Sequence, residues 1–417
     1  MSRQRAIVIG GSVGGLFAAH LLRSVGWDAA VFERNPDDLI SRGAGIATHP
    51  ELIDIMTRLG VAFDDTMGVK VDTVVVLDRR GRAVAERRTD RIMSSWGRIY
   101  HALKGRLPPD GYRLGKSLIR VAQDRDGVTA FFADGSEERA DLLVGADGSR
   151  STVRELLMPA LHPSYVGYVA WRAMLDEGEV PAALRAAVFE RFALCLPEGE
   201  MFIGYPVPGR DNETGVGRRA YNIVWYRPTD PEVALADLCT DANGRRHAAI
   251  PPPLIRPELV AAIQATARAK VAPQLAEIFN RAQPFFQPIL ELASPQIVFG
   301  RVALLGDAAF VARPHAGAGT TKAALDAASL ADAIAACGLR AGLERYQDTQ
   351  IRFGRALLTL GRLEGNHLSA QLKPRDQRTA GELHWDVEGV IHAHVSRSAE
   401  LRKVLDAIRG VGVDMRR

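Results

Sequence analysis

The sequence predicts a mixed α/β fold, in which a parallel sheet covered by helices is interrupted by an antiparallel sheet and followed by a helical C-terminal part. Three observations predict it. The chain opens on a short apolar, β-branched run, RAIVIG at residues 5–10, which passes through a glycine turn into a helical pattern; such a run is the look of a strand buried on both faces. From residue 165 to 226 the texture changes to short aromatic and β-branched segments separated by turns, as in an antiparallel sheet. A second apolar run, residues 302–305, then crosses through GDAAFVARPHAGAGTT at 306–321 into an alanine-rich stretch, 323–336, that carries one mostly apolar helical face.

The first unit is a βαβ arrangement. Gly10-Gly11-Ser12-Val13-Gly14-Gly15 separates the opening strand from a helix over residues 16–25, capped by Gly26 as helix C-termini prefer. A second strand, residues 28–32, ends at Glu33. A glycine turn at a helix N-terminus with an acid about 20 residues on is the Rossmann-like dinucleotide-binding arrangement. The glycines admit a pyrophosphate to the backbone and the acid accepts from ribose hydroxyls. Ser12 replaces the middle glycine of the usual pattern, and Gly11 and Gly14 can keep the turn tight.

Next, Ser41-Arg42-Gly43-Ala44-Gly45 forms a glycine-rich turn with one cation, followed by a helix over 51–59. Residues 69–77 and the turn at 78–81 read as the start of a hairpin in a separate antiparallel layer, and 96–107 return to helical spacing. Strands at 127–132 and 141–144 lead into Asp147-Gly148-Ser149-Arg150-Ser151-Thr152-Val153-Arg154, where Ser151 or Thr152 can cap a helix. Asp147 stands at a strand's carboxyl end, where open α/β sheets place ligands. Strands are expected at 165–175, 189–196, 201–207 and 221–227, with Trp171, Tyr205, Trp225 and Tyr226 as candidates for a pocket wall. Helical spacing runs over 257–280, from 338 to about 371, and again near 397–408. The domain boundaries expected are 1–68, 98–160 and 290–340 for the dinucleotide domain, 69–97 and 161–289 for the sheet domain, and 341–417 for the C-terminal helices.

Composition narrows the function. With 53 basic and 49 acidic residues in 417, the net charge of +4 is spread without a dense block, so no nucleic-acid partner is expected. The apolar runs are too short for a membrane span. Three widely spaced cysteines give neither a disulfide framework nor a metal pattern, and the basic start runs straight into a strand. These features fit a cytoplasmic protein. His392 and His394 share an H-x-H spacing that no cysteine or carboxylate cluster completes, so no metal is expected.

Three motifs, in this order and on these elements, resemble the single-component FAD-dependent aromatic hydroxylases of the para-hydroxybenzoate hydroxylase type. They are the glycine turn with Glu33-Arg34, the Asp147-Gly148 motif through Arg154, and Gly306-Asp307-Ala308-Ala309 with Pro314, Gly317 and Gly319. The resemblance covers roughly residues 1–340. It implies that Gly10, Gly11, Ser12, Val13, Gly14 and Gly15 hold the FAD pyrophosphate and Glu33 the adenosine ribose, with Arg34, Arg42, Ala44 and Gly45 nearby. Asp307 would contact the ribityl and phosphate portion, Pro314, Gly317, Ala318, Gly319 and Thr320 would face the flavin ring, and Asp147 would support both FAD and a transiently bound NADH or NADPH.

The implied reaction is hydroxylation of an electron-rich aromatic ring with O2, through a flavin C4a-hydroperoxide. The segments around Tyr165–Arg172, Gly204–Arg210 and Arg313–His315 look most like the hydroxypyridine branch; a hydroxybenzoate-type hydroxylase and a non-catalytic FAD-holding sensor are the alternatives. The partners implied are a small aromatic substrate and O2, and a homodimer is compatible with the pattern. Phe310 and Thr321 depart from the family's usual His and Asn. For the ring, Tyr205, Trp225, Trp171 and His315 are the substrate candidates. A general base near the ring hydroxyl would help, and His315 in the flavin loop, with His49 as second choice, titrates in a suitable range.

Overall fold

A computed structural model describes residues 3–39 and 45–409; Arg42 and Ala44 lie outside the described residues. Strand Arg5–Ile9 sits inside a six-stranded sheet whose spatial order is Val298–Phe299, Val302–Leu304, Leu142–Gly145, Arg5–Ile9, Asp28–Phe32 and Tyr112–Arg113. All neighbours are parallel except the Val298–Phe299 edge. Its central residues Ile7, Val8, Val31, Leu143, Val144 and Ala303 are buried, which explains the unbroken apolar runs. Helix Val13–Ser24 packs on this sheet and on the first part of Gly319–Ala370. A three-stranded antiparallel sheet, Leu118–Gln123, Val128–Phe132 and Glu137–Ala140, covers the other side by stacking Phe132 on Phe32 at 5.1 Å.

The texture change from residue 165 onward belongs to a nine-stranded sheet. Its order is Phe310–Val311, Phe285–Ala293, Ser164–Asp176, Ala220–Pro228, Met201–Val207, Arg191–Cys195, Val69–Leu77, Ala83–Ser95 and Gly45–Ala47. Neighbours are antiparallel apart from Arg191–Cys195 against Val69–Leu77. Because side chains alternate along a strand, the sheet has two distinct cores. Trp171, Trp225, Phe202 and Phe286 meet Phe279 beneath helices Pro257–Lys270 and Pro273–Arg281. Tyr168, Ala170, Phe192, Ile203, Tyr205 and Tyr226 occupy the opposite face, together with Leu368 and Ile391 from the C-terminal helices.

Two helical expectations need correction. The run expected over 257–280 is two helices, because Pro273 lacks an N–H and sits at the first turn of the second one, where proline is tolerated. The last helix begins ten residues earlier than expected, spanning Val387–Arg409. Its inward face includes His394 and Arg397 beside Ile391, Leu401 and Leu405, so an apolar period alone understates it. Helix Gly319–Ala370 is broken at Gly338, whose φ of 73° is left-handed.

Candidate active site

The glycine turn forms one end of a crevice. Gly10 has φ 108°, and a Cβ there would run into the Ala146 carbonyl; a Cβ on Gly15 would overlap the Gly10 carbonyl oxygen. These two positions need glycine, and they let the backbone close up beneath a ligand. Ser12 is the N-cap of helix Val13–Ser24 without capping through its side chain, and the first turn holds no acid. The opening N–H groups are therefore free of a side-chain cap and, with the helix dipole, suit a phosphate. Ser12 Oγ instead accepts from Trp96 Nε1 at 3.1 Å. Glu33 accepts the Gly11 N–H at 2.7 Å and the Asn35 N–H at 2.9 Å. A cavity of about 470 Å³ follows this surface, lined by Gly10 through Gly14, Glu33, Arg34, Asp147, Asp307, Gly319 and Thr320 among others.

Two motifs brace the crevice. Asp147 takes Ser151 Oγ at 2.5 Å and the Val153 N–H at 3.1 Å, so its carboxylate serves the helix Thr152–Leu157. Arg154 donates to the Ser149 carbonyl at 2.7 Å and the Ala308 carbonyl at 3.1 Å, joining the two motifs. Gly306 is held at both ends of its residue. Asp326 Oδ2 accepts its N–H at 2.8 Å, and Lys322 Nζ donates to its carbonyl at 2.9 Å and to Asp326 at 2.5 Å. Asp307, just beyond, is exposed into the crevice.

Asp307, Gly319 and Thr320 also line a second cavity of about 300 Å³. Its walls are the loop Arg313–Gly319, the aromatic face of the large sheet with Phe192, Tyr205 and Tyr226, Arg172 from strand Ser164–Asp176, and His394 and Arg397 from helix Val387–Arg409. His315 is buried in this wall, its Nε2 2.8 Å from Tyr168 Oη and its ring 4.6 Å from that of Tyr226 between centroids. Burial, then Arg397 and Arg313, push its pKa down to about 3. It is neutral near pH 7, and it becomes a competent proton acceptor only when an anion beside it offsets those cations.

The structure brings most of the expected residues to the joined crevice and leaves some out. His49 lines neither cavity. It is buried behind the loop, with Nδ1 3.1 Å from Thr321 Oγ1, because the chain from Gly45 runs along the sheet edge and carries it past the cavity. Trp171 and Trp225 pair directly across their strands and face the opposite core, one residue out of phase with the cavity wall. Gly15 lies within the helix beneath the turn, packed on Gly10. Tyr205 and Tyr226, two of the expected pocket-wall residues, line the second cavity, whereas Arg172, Arg313, Lys322, His394 and Arg397 line it without having been among the site candidates. Strand alternation signals Arg172, which is adjacent to Trp171 and on the other face; nothing local signals His394 or Arg397.

A glycine cradle with bare amides, an acid set for a ribose and a continuous crevice ending in an aromatic cavity fit FAD. The likeness to known proteins agrees, and the chain belongs to the FAD-dependent aromatic monooxygenases. It is 33% identical over 357 residues, 85% of this chain and 89% of the other, to the 2,6-dihydroxypyridine 3-monooxygenase of Paenarthrobacter nicotinovorans. It is 30% identical over 377 residues, 84% of this chain and 88% of the other, to a 6-hydroxynicotinate 3-monooxygenase of Bordetella bronchiseptica. A family model described as FAD binding domain-like matches residues 165–291. The solved 2,6-dihydroxypyridine-3-hydroxylase from Arthrobacter nicotinovorans superposes with a TM-score of 0.83 at 31% identity, over 90% of this chain and 96% of that one. Klebsiella pneumoniae HpxO, complexed with FAD and uric acid, shares the fold at a TM-score of 0.74 and 23% identity over 98% of both chains.

Proposed function

We propose that this chain hydroxylates a small, electron-rich ring of the hydroxypyridine type, using NADH or NADPH and O2, in a cytoplasmic setting. The observation that carries the reading is the second cavity: it opens from the FAD crevice at Asp307, Gly319 and Thr320, and is walled by tyrosines, a neutral histidine and arginines. FAD, when bound, supplies hydride acceptance and oxygen activation. The chain's own residues do the rest. Tyr205 and Tyr226, on one face of the sheet, offer a flat ring an aromatic surface opposite the Arg313–Gly319 loop, which excludes water above it. His315 and Tyr168 form a hydrogen-bonded pair through which a ring hydroxyl proton can be accepted and passed on, and the arginines stabilise the oxyanion left behind. The hydroxypyridine relatives support this substrate class.

The test is a panel of hydroxypyridines and hydroxybenzoates with the purified yellow protein, scored for NAD(P)H-dependent oxygen uptake and product mass. A hydroxypyridine gaining one oxygen atom supports the reading. Turnover confined to hydroxybenzoates, or oxygen consumption that yields only peroxide across the panel, refutes it. His315→Ala should retain FAD while losing coupled hydroxylation.

A further inference from the structure

We propose that Arg397, on the C-terminal helix, and Arg172, on the sheet, form an anion seat that makes this cavity select rings bearing a full negative charge. The inference rests on the reading of this cavity as the ring site. Arg397 is 6% exposed, yet among the described residues it makes no hydrogen bond. Among the described residues its carboxylate neighbour is Glu364, 3.7 Å away, and burial pushes that carboxyl above its ordinary value. The Arg397 guanidinium lies against the flavin loop: a Cβ on Gly317 would be 3.3 Å from its Nη1.

Arg172 is similarly underused. Nη1 reaches only Gln287 Oε1 at 3.5 Å, Nε is buried without a partner, and among the described residues no carboxylate forms an ion pair with it. Burial pushes the Tyr205 and Tyr226 hydroxyls above their ordinary value, and both arginines stand close enough to oppose that shift in part. Arg91 adds a third cation behind the helix, donating to the His394 carbonyl.

Arg397 is a cation withdrawn from water without a hydrogen-bonded counterion, which is costly to keep, and half-buried Arg172 lines the same cavity. A planar ligand with a carboxylate or an ionised hydroxyl would satisfy them, and guanidinium groups match that geometry. The FAD phosphates do not serve, since the glycine turn lines the other cavity.

The experiment compares benzoate with its uncharged counterpart benzamide on the FAD-loaded protein, following the flavin absorbance change on titration. Wild type should bind benzoate about tenfold to a hundredfold more tightly, the worth of a charge-assisted hydrogen bond. Arg397→Gln should abolish the preference with FAD occupancy intact, Arg397→Lys should restore part of it, and Arg172→Gln should reduce it independently. Equal binding of the two probes, or of neither, by wild type overturns the inference. So does a preference that survives in Arg397→Gln, including the case where that variant alters only the flavin's reduction potential. Should Arg397→Gln not fold, the Arg397→Lys and Arg172→Gln ratios decide. A protein that hydroxylates a hydroxypyridine without this preference refutes the seat alone. One that shows the preference but hydroxylates no hydroxypyridine refutes only the proposed function.

Discussion

Replacing Lys322 with Met should unseat the turn that carries Asp307. Lys322 and Asp326 are each 2% exposed, one helical turn apart, and share Gly306 between them. Methionine keeps the length of the stem but leaves the Asp326 carboxylate buried without its counterion and the Gly306 carbonyl without its donor. Removing one partner of a buried pair costs about 3–5 kcal/mol. With a urea dependence of roughly 3 kcal/mol per molar, the unfolding midpoint should fall by about 1–1.7 M. FAD should dissociate more readily, because the Gly306–Ala308 turn then has no anchor on the helix. The Lys322→Met, Asp326→Asn double variant should recover much of the stability: Asn still accepts the Gly306 N–H and carries no charge. Urea titration by intrinsic fluorescence, with flavin release recorded in parallel, measures both quantities. An unshifted midpoint in the single variant, or a double variant no better than the single, would refute the reasoning.

Three further predictions follow from the same geometry. Gly15→Ala should yield folded protein devoid of flavin, since the new methyl group overlaps the Gly10 carbonyl oxygen; full flavin absorbance in the purified variant would contradict this. Trp225→Phe should lower thermal stability and leave the KM for the ring substrate unchanged, whereas Tyr226→Ala on the cavity face should raise KM about tenfold through lost aromatic contact. The reverse pattern would mean the sheet faces are misassigned. Acid should destabilise the protein below pH 6.5. His49 and His315 are held at about 3 in the folded chain, against 6.5 unfolded, so the unfolded chain binds more protons. Their full contribution is present above pH 6.5 and is lost as the pH falls toward 3, at about 1.4 kcal/mol per pH unit for each. His315→Asn should flatten the dependence of the urea midpoint between pH 7 and pH 5, and a superimposable curve would count against it.

The amino-acid sequence by itself determined the crevice. Glycine turns at strand ends are dictated by sterics between neighbours in the chain, so Gly10 to Gly15, Glu33, Asp147 and Asp307 are legible one segment at a time, and the motif order supplies the sheet that unites them. The aromatic segments likewise announce the large sheet. What they leave open is which face meets the flavin loop, because register and side are set by distant partners: Trp171 pairs with Trp225 under the helices, and Arg172 one step along points the other way. His49, the second choice for a base after His315, is carried behind the loop by the chain's path. The C-terminal helix was expected only near 397–408; its start at Val387 and its place beside the cavity were decided by tertiary structure. His394 and Arg397 interrupt its apolar pattern, as polar residues facing a cavity must, and only packing against the sheet turns that interruption into a wall of the site.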